Sequence, residues 1–174
     1  MHEIGMRILI RKVQLVAAQY TVALTPLLSV ATDHYYRIFF RAAESANAVK
    51  PIVAQHKRVH VDTGALRVTV EDAGETGPLW TGPLHDAAFV KEMLAHAEPA
   101  PFSDARQLLR IIENACRIPV LGFLDLHDVA SALAITPPRR ERVLERLGER
   151  ACRTHLCGHG IKTDLTLEEV RERL

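Results

Sequence analysis

Two groups of side chains near the end of the chain are of the types that bind or react. Arg139, Arg142, Arg146 and Arg150 recur at intervals of three, four and four, which puts them on one stripe of a helix. Arg153-Thr154-His155 and Lys162-Thr163 follow on short extended segments that could prolong it. A stripe of this kind tracks phosphates, each contact adding salt-sensitive affinity that is blind to sequence. It is equally the solvated face of a helix in which Arg142–Glu145 and Arg146–Glu149 make weak i,i+3 pairs. The second group is Cys152, His155, Cys157 and His159, four zinc-type ligands within eight residues. Structural zinc sites draw closely spaced pairs from two separate turns, whereas here all four crowd one ribbon with alternating faces. Turn and core roles account for them better, and no metal is expected.

Other chemistries leave no trace. There is no glycine-rich phosphate loop, no G-x-S-x-G elbow and no H-E-x-x-H. Cys116 and His127 fall inside helical patterns, where packing or capping explains them. No self-contained active site emerges.

The elements that would carry these residues read as follows. Residues 2–20 form an amphipathic helix with Met6, Ile10, Val13, Ala17 and Tyr20 inward, widened by Leu9 and Val16. Arg7, Arg11, Gln14 and Gln19 take its other side. Thr25-Pro26 opens a hairpin, residues 26–31 and 35–42, turning at Thr32–Tyr35 and apolar on both faces. Two strands alone are marginal and need a sheet to join. Residues 43–58 lose periodicity and mark a domain boundary, giving 1–45 and 46–174. A second hairpin, 57–61 and 65–70, turns on Asp62-Thr63-Gly64. Two Gly-Pro breaks in GPLWTGPLHD (77–86) exclude regular structure there, with Trp80 as a packing anchor. Helices follow at about 86–96 and 104–117, then a short one opened by Asp125 and Asp128. A fourth, about 138–149, carries the arginine stripe. Residues 151–156 and 160–163 are extended, and Thr166 with Glu169 forms a capping box for a last helix. Two helices joined by a proline turn and followed by a ribbon give a winged-helix order.

The totals agree with a globular α+β protein: 174 residues, 48% hydrophobic and 25% charged. The net charge of +1 divides into +3 for residues 1–42, −4 for 43–136 and +2 for 137–174. A nucleic-acid surface must therefore be local. Three widely spaced cysteines argue for a reducing cytoplasm, and no apolar run reaches the roughly 18 residues of a membrane span. The first residues, with charges spread through them, are not a secretion signal.

HEIGMRILI (2–10), PLLSVATDHYYRIFFR (26–41), GPLWTGPLHD (77–86) and CRTHLCGHGIKTD (152–164) stand in the order and spacing of the tRNA guanine-26 N2-dimethyltransferase family. The chain resembles the carboxyl-terminal half of that family. The resemblance implies transfer of methyl groups from S-adenosylmethionine to a guanine amine in tRNA, with the donor site lying upstream of the part represented here. This chain alone is expected to lack donor binding and activity. The resemblance further implies that residues 2–20, 26–31 and 35–42 are the last helix, parallel strand and antiparallel strand of a class I methyltransferase sheet. Ligands in such sheets sit beyond the carboxyl ends of the parallel strands. By that rule His2-Glu3 and the reversal face the substrate, with Asp33, His34 and Tyr35 near the target base; a plain turn role for Asp33 and His34 also fits. Residues from 46 onward would hold tRNA through Arg139, Arg142, Arg146, Arg150, Arg153, Thr154, His155, Lys162 and Thr163. Many relatives carry a cysteine-rich zinc insert before the GPLW motif; residues 43–76 contain no cysteine, so that site is absent. A stand-alone RNA-binding module and one subunit of a split enzyme are the alternatives. The hairpin edge and the first helix should expose apolar surface, open to a missing amino-terminal half or to self-association.

Overall fold

The computed structural model describes residues 2–32, 35–97 and 103–174. Its packing separates two units, Met1–Val61 with Thr69–Val90, and Asp62–Val68 with Lys91–Leu174.

The first unit begins with helix α1 (His2–Ala18). The helix ends where Thr21 takes a left-handed φ of 59°, and the chain turns into strand β1 (Val22–Ala31). Strand β2 (Tyr36–Glu44) returns antiparallel to β1, from Val22 opposite Glu44 to Ala31 opposite Tyr36. β1 starts four residues before the expected Pro26. That proline sits inside the strand, where the register slips between Pro26 and Leu28 and a missing N–H costs least.

α1 buries the expected Met6 and Ile10, but the rest of its buried face differs from the expected one. Glu3, Met6, Arg7, Ile10 and Gln14 are buried, while Ile8, Leu9, Val16 and Tyr20 are exposed. Polar groups can go inward because each finds partners. Arg7, 3% exposed, binds Glu3 Oε1 through Nε at 2.9 Å and donates from Nη1 to Trp80 O and Gly82 O. Gln14 donates to Leu24 O at 2.9 Å. Burial pulls the Arg7 guanidinium below its ordinary value, and Glu3 pushes back.

The expected aperiodic boundary contains helix α2 (Ala46–Val53), started by Ser45, whose side chain accepts from Ala48 N. It packs on α1 and β1. Strands β3 (His56–Asp62), β4 (Arg67–Val70) and β5 (Thr76–Trp80) form a sheet ordered β4-β3-β5. Regular structure thus enters the GPLW stretch after all. His56 pairs with Trp80 and Lys57 with Leu79. Pro78, without an N–H, is tolerated because β5 is an edge strand with a register slip nearby. Trp80 is 1% exposed and donates to Pro83 O at 2.9 Å, an anchor as its loop position suggests.

Helix α3 (Ala87–Ala97), capped by Asp86 Oδ1, contains the division between the units. The second unit then runs through α4 (Ser103–Cys116), β6 (Leu124–Asp125), α5 (Leu126–Ala132), α6 (Arg140–Leu147), a 3₁₀ turn at Gly148–Arg150, β7 (Ala151–Arg153), β8 (Gly160–Thr163) and α7 (Leu167–Arg173). Its sheet is ordered β6-β8-β7 and is antiparallel throughout. Leu124, Leu126, Val129, Val143, Leu147, Ile161, Leu165 and Val170 make one core. α7 starts at the expected Thr166–Glu169 capping box.

Candidate nucleic-acid interface

α6 is shorter than the stripe it was expected to carry. Arg139 is its N-cap residue, and Gly148, with φ 59°, ends it before Arg150. The exposed side divides into two ridges. Arg139, Arg142 and Arg146 lie along one, and Glu141 and Glu145 along the other. The pairs Arg142–Glu145 and Arg146–Glu149 do not form. Among the described residues Arg139 and Arg142 have no ion-pair partner, and Arg146 donates only to Arg173 O at 3.3 Å.

Arg150 is engaged. It grips Asp164 with two bonds of 3.0 and 3.1 Å and lies 3.7 Å from Glu169. Donating to Asp164 raises the pKa of Arg150, and the same bond lowers that of Asp164.

The ribbon residues separate by burial. Lys162 is 8% exposed and its Nζ donates to Val120 O at 2.8 Å. Thr163 Oγ1 donates to Arg150 O and accepts from Leu165 N, and buried Thr154 Oγ1 accepts from Leu156 N. All three are buried and spend hydrogen bonds within the unit. β8 is the central strand of its sheet and buried along its whole length, which the short alternating segment could not reveal. Arg153 and His155 are half-buried. The accessible basic ridge is therefore Arg139, Arg142 and Arg146.

The four zinc-type residues do not converge. Among the described residues no group of three or more His, Cys, Asp or Glu is arranged to hold a metal ion. Burial raises the thiol pKa of both Cys152 and Cys157, so neither is a ready nucleophile.

In the first unit, Thr32 N donates to Tyr35 O at 3.0 Å across the reversal. Asp33 and His34 lie outside the described residues. Tyr35 is 52% exposed with the Arg37 guanidinium 5.3 Å over its ring. Sequence reasoning passed over what lies along β1. Ser29 Oγ donates to Leu84 O at 2.8 Å, Ser29 N to His85 Nδ1 at 3.3 Å, and Asp86 N to Leu27 O at 3.0 Å. Segment 84–86 thus covers the outer edge of β1. β2 is mostly exposed, Tyr36 and Phe39 included, and among the described residues it pairs only with β1. Among the described residues the β1–β2 sheet has one closed edge and one open edge.

A family model described as N2,N2-dimethylguanosine tRNA methyltransferase matches residues 1–174. That sets the chain among the tRNA-modifying methyltransferases. Within them it belongs to the N2,N2-dimethylguanosine tRNA methyltransferase family. It is 33% identical to the tRNA (guanine(26)-N(2))-dimethyltransferase of Thermococcus kodakarensis over 98% of this chain and 48% of that protein. The enzyme of the same name from Methanocaldococcus jannaschii is 32% identical over 99% of this chain and 48% of its own length. The fold matches Trm1 from Pyrococcus horikoshii in complex with S-adenosyl-L-methionine, with a TM-score of 0.84 and 28% identity, across 99% of this chain and 49% of that one. The chain spans about half the length of the curated relatives it matches. No helix among the described residues is long and apolar enough to cross a membrane.

Proposed function

We propose that this chain is the carboxyl-terminal part of a tRNA guanine-26 N2-methyltransferase of the cytoplasm. Its α1, β1 and β2, within residues 1–45, supply the last elements of the catalytic sheet, and residues 46–174 hold tRNA. The observation that carries the reading is the open edge of β2. An antiparallel pair with one edge covered by 84–86 and the other bare, beside a helix exposing Ile8, Leu9 and Val16, suits a piece of a larger sheet. Relatives of twice the length provide a source for that sheet. It comes either from the methyltransferase half as a partner or, failing that, from a second copy of this chain. A stand-alone RNA-binding module would leave the apolar face without a purpose.

The order α4, β6, α5, α6, β7, β8 with strands arranged β6-β8-β7 supports a winged-helix reading of the second unit. In such a unit the second helix of the pair is the one offered to nucleic acid, and α6 bears the unpaired arginines. Tyr35 stands at the substrate end of β1, near the target base.

S-adenosylmethionine is the family's donor, and the residues present do not fit it. β2 passes into α2 through Ser45 with no glycine-rich turn, and no described strand opens into a helix through a phosphate- or nucleoside-binding loop. No step of methyl transfer is assigned to this chain alone. Titration calorimetry tests the division of labour. The isolated chain should give no saturable heat with S-adenosylmethionine while retarding tRNA in a gel; donor binding by the chain alone would overturn it.

A further inference from the structure

The turn Cys157–Gly160 and the start of α5 come together at a point the tRNA reading does not use. Leu126 N donates to His159 O at 3.2 Å, and Cys157 Sγ lies 3.2 Å from Asp125 Oδ2. Asp125 Oδ1 accepts from His127 N at 2.8 Å, and Gly160 N donates to Cys157 O. Arg140, at the first turn of α6, donates to Gly158 O. Gly160 itself has no room for a side chain, since a Cβ would come within 2.6 Å of Thr154 and 2.9 Å of Phe123. The backbone is thus held from several sides.

On this fixed backbone two imidazoles remain exposed. His127 and His159 meet edge to face, 4.6 Å between centroids at 87°. Neither side chain is needed for the hydrogen bonds that pin the turn, which run through main chain, Asp125, Cys157 and Arg140. Asp125 and Asp128 beside them make the spot a poor seat for phosphate. Ring faces tolerate such neighbours, and a nucleobase offers a matching π surface. Through Arg140 the turn adjoins the end of α6 from which the Arg139–Arg142–Arg146 ridge starts.

The geometry points to a base-stacking platform: His127 and His159 receive an unpaired nucleobase of RNA whose backbone runs along the α6 arginines. This rests on the tRNA-binding reading and adds to it a preference for single-stranded over duplex RNA.

The test uses the full chain, a short single-stranded oligoribonucleotide and a blunt duplex of the same length, with affinities from fluorescence anisotropy across a salt series. The pair H127A/H159A should weaken the single strand by about tenfold, leave the duplex unchanged and keep the salt slope. The pair H127F/H159F, which keeps two aromatic rings, should retain affinity for the single strand. R142A should weaken both ligands and reduce the slope. The platform is overturned if H127A/H159A binds the single strand like the wild type, or if the phenylalanine pair loses as much as the alanine pair. A wild-type chain that binds neither RNA overturns the tRNA reading and the platform together, whereas intact duplex binding with no effect of the histidines removes the platform alone.

Discussion

Arg142 and Arg146 are accessible, whereas Lys162, placed with them by sequence, points inward; exchanging each for alanine separates a binding role from a structural one. Each arginine that neutralises a phosphate contributes about 0.7–0.9 to the slope of log K against log salt. R142A/R146A should therefore flatten the slope for tRNA by about 1.4–1.8 and weaken binding at low salt, with thermal stability nearly unchanged because both side chains are exposed. Lys162→Ala should do the reverse. Its Nζ bond to Val120 O, at 2.8 Å and largely buried, is charge-assisted and contributes about 1.5–3 kcal/mol. In a unit of this size that is roughly 6–24 °C of melting temperature. The slope for the molecules still folded should stay as in the wild type. Filter binding across a salt series and differential scanning calorimetry read the two quantities. An unchanged slope for R142A/R146A returns those arginines to a solvated face. A flattened slope with unchanged melting for Lys162→Ala would show that its side chain faces the RNA and that the burial argument fails.

Two more outcomes follow from the first unit. Removing Glu3 leaves Arg7 buried without its counter-ion, so Glu3→Gln should cost about 3–5 kcal/mol in urea denaturation; Arg7→Met should cost at least as much, since it also strips Trp80 O and Gly82 O of their donor. His56, bonded to Gln14 Oε1 at 2.8 Å, has its pKa lowered by burial and then by Arg11. A lowered histidine pKa means that the unfolded chain binds the proton more readily, so its contribution is complete above the ordinary value of 6.5 and declines as pH falls below it. Melting followed from pH 8 to pH 5 should show that decline in the wild type and less of it in His56→Gln.

Much of the layout was legible because it is local. Caps at Asp125 and Thr166, the turn at Asp62–Gly64 and the strands 151–153 and 160–163 follow from side chains acting on neighbouring backbone. α2 was missed because Pro51 breaks its pattern, and β5 because Gly-Pro pairs usually punctuate rather than extend. The rotation of α1 was illegible for a different reason. Periodicity reveals an apolar stripe but not which side of the helix meets the rest of the chain. Arg7 and Gln14 turn inward only because carbonyls at Trp80, Gly82 and Leu24 await them. The candidate interface was half legible for the same cause. The helical spacing of the arginines is a sequence property, while the burial of Lys162 and the meeting of His127 with His159, 32 residues apart, depend on tertiary packing.

The central claim is that β2 is the open edge of a sheet completed by a methyltransferase half. Hydrogen–deuterium exchange along Tyr36–Glu44 tests it most directly, in the chain alone and after co-expression with the amino-terminal half of a relative such as the Thermococcus kodakarensis enzyme. The outward amides of β2 should exchange rapidly in the lone chain and become protected when the half co-purifies. Amides already protected in a monodisperse monomer, and unchanged by the added half, would contradict the account.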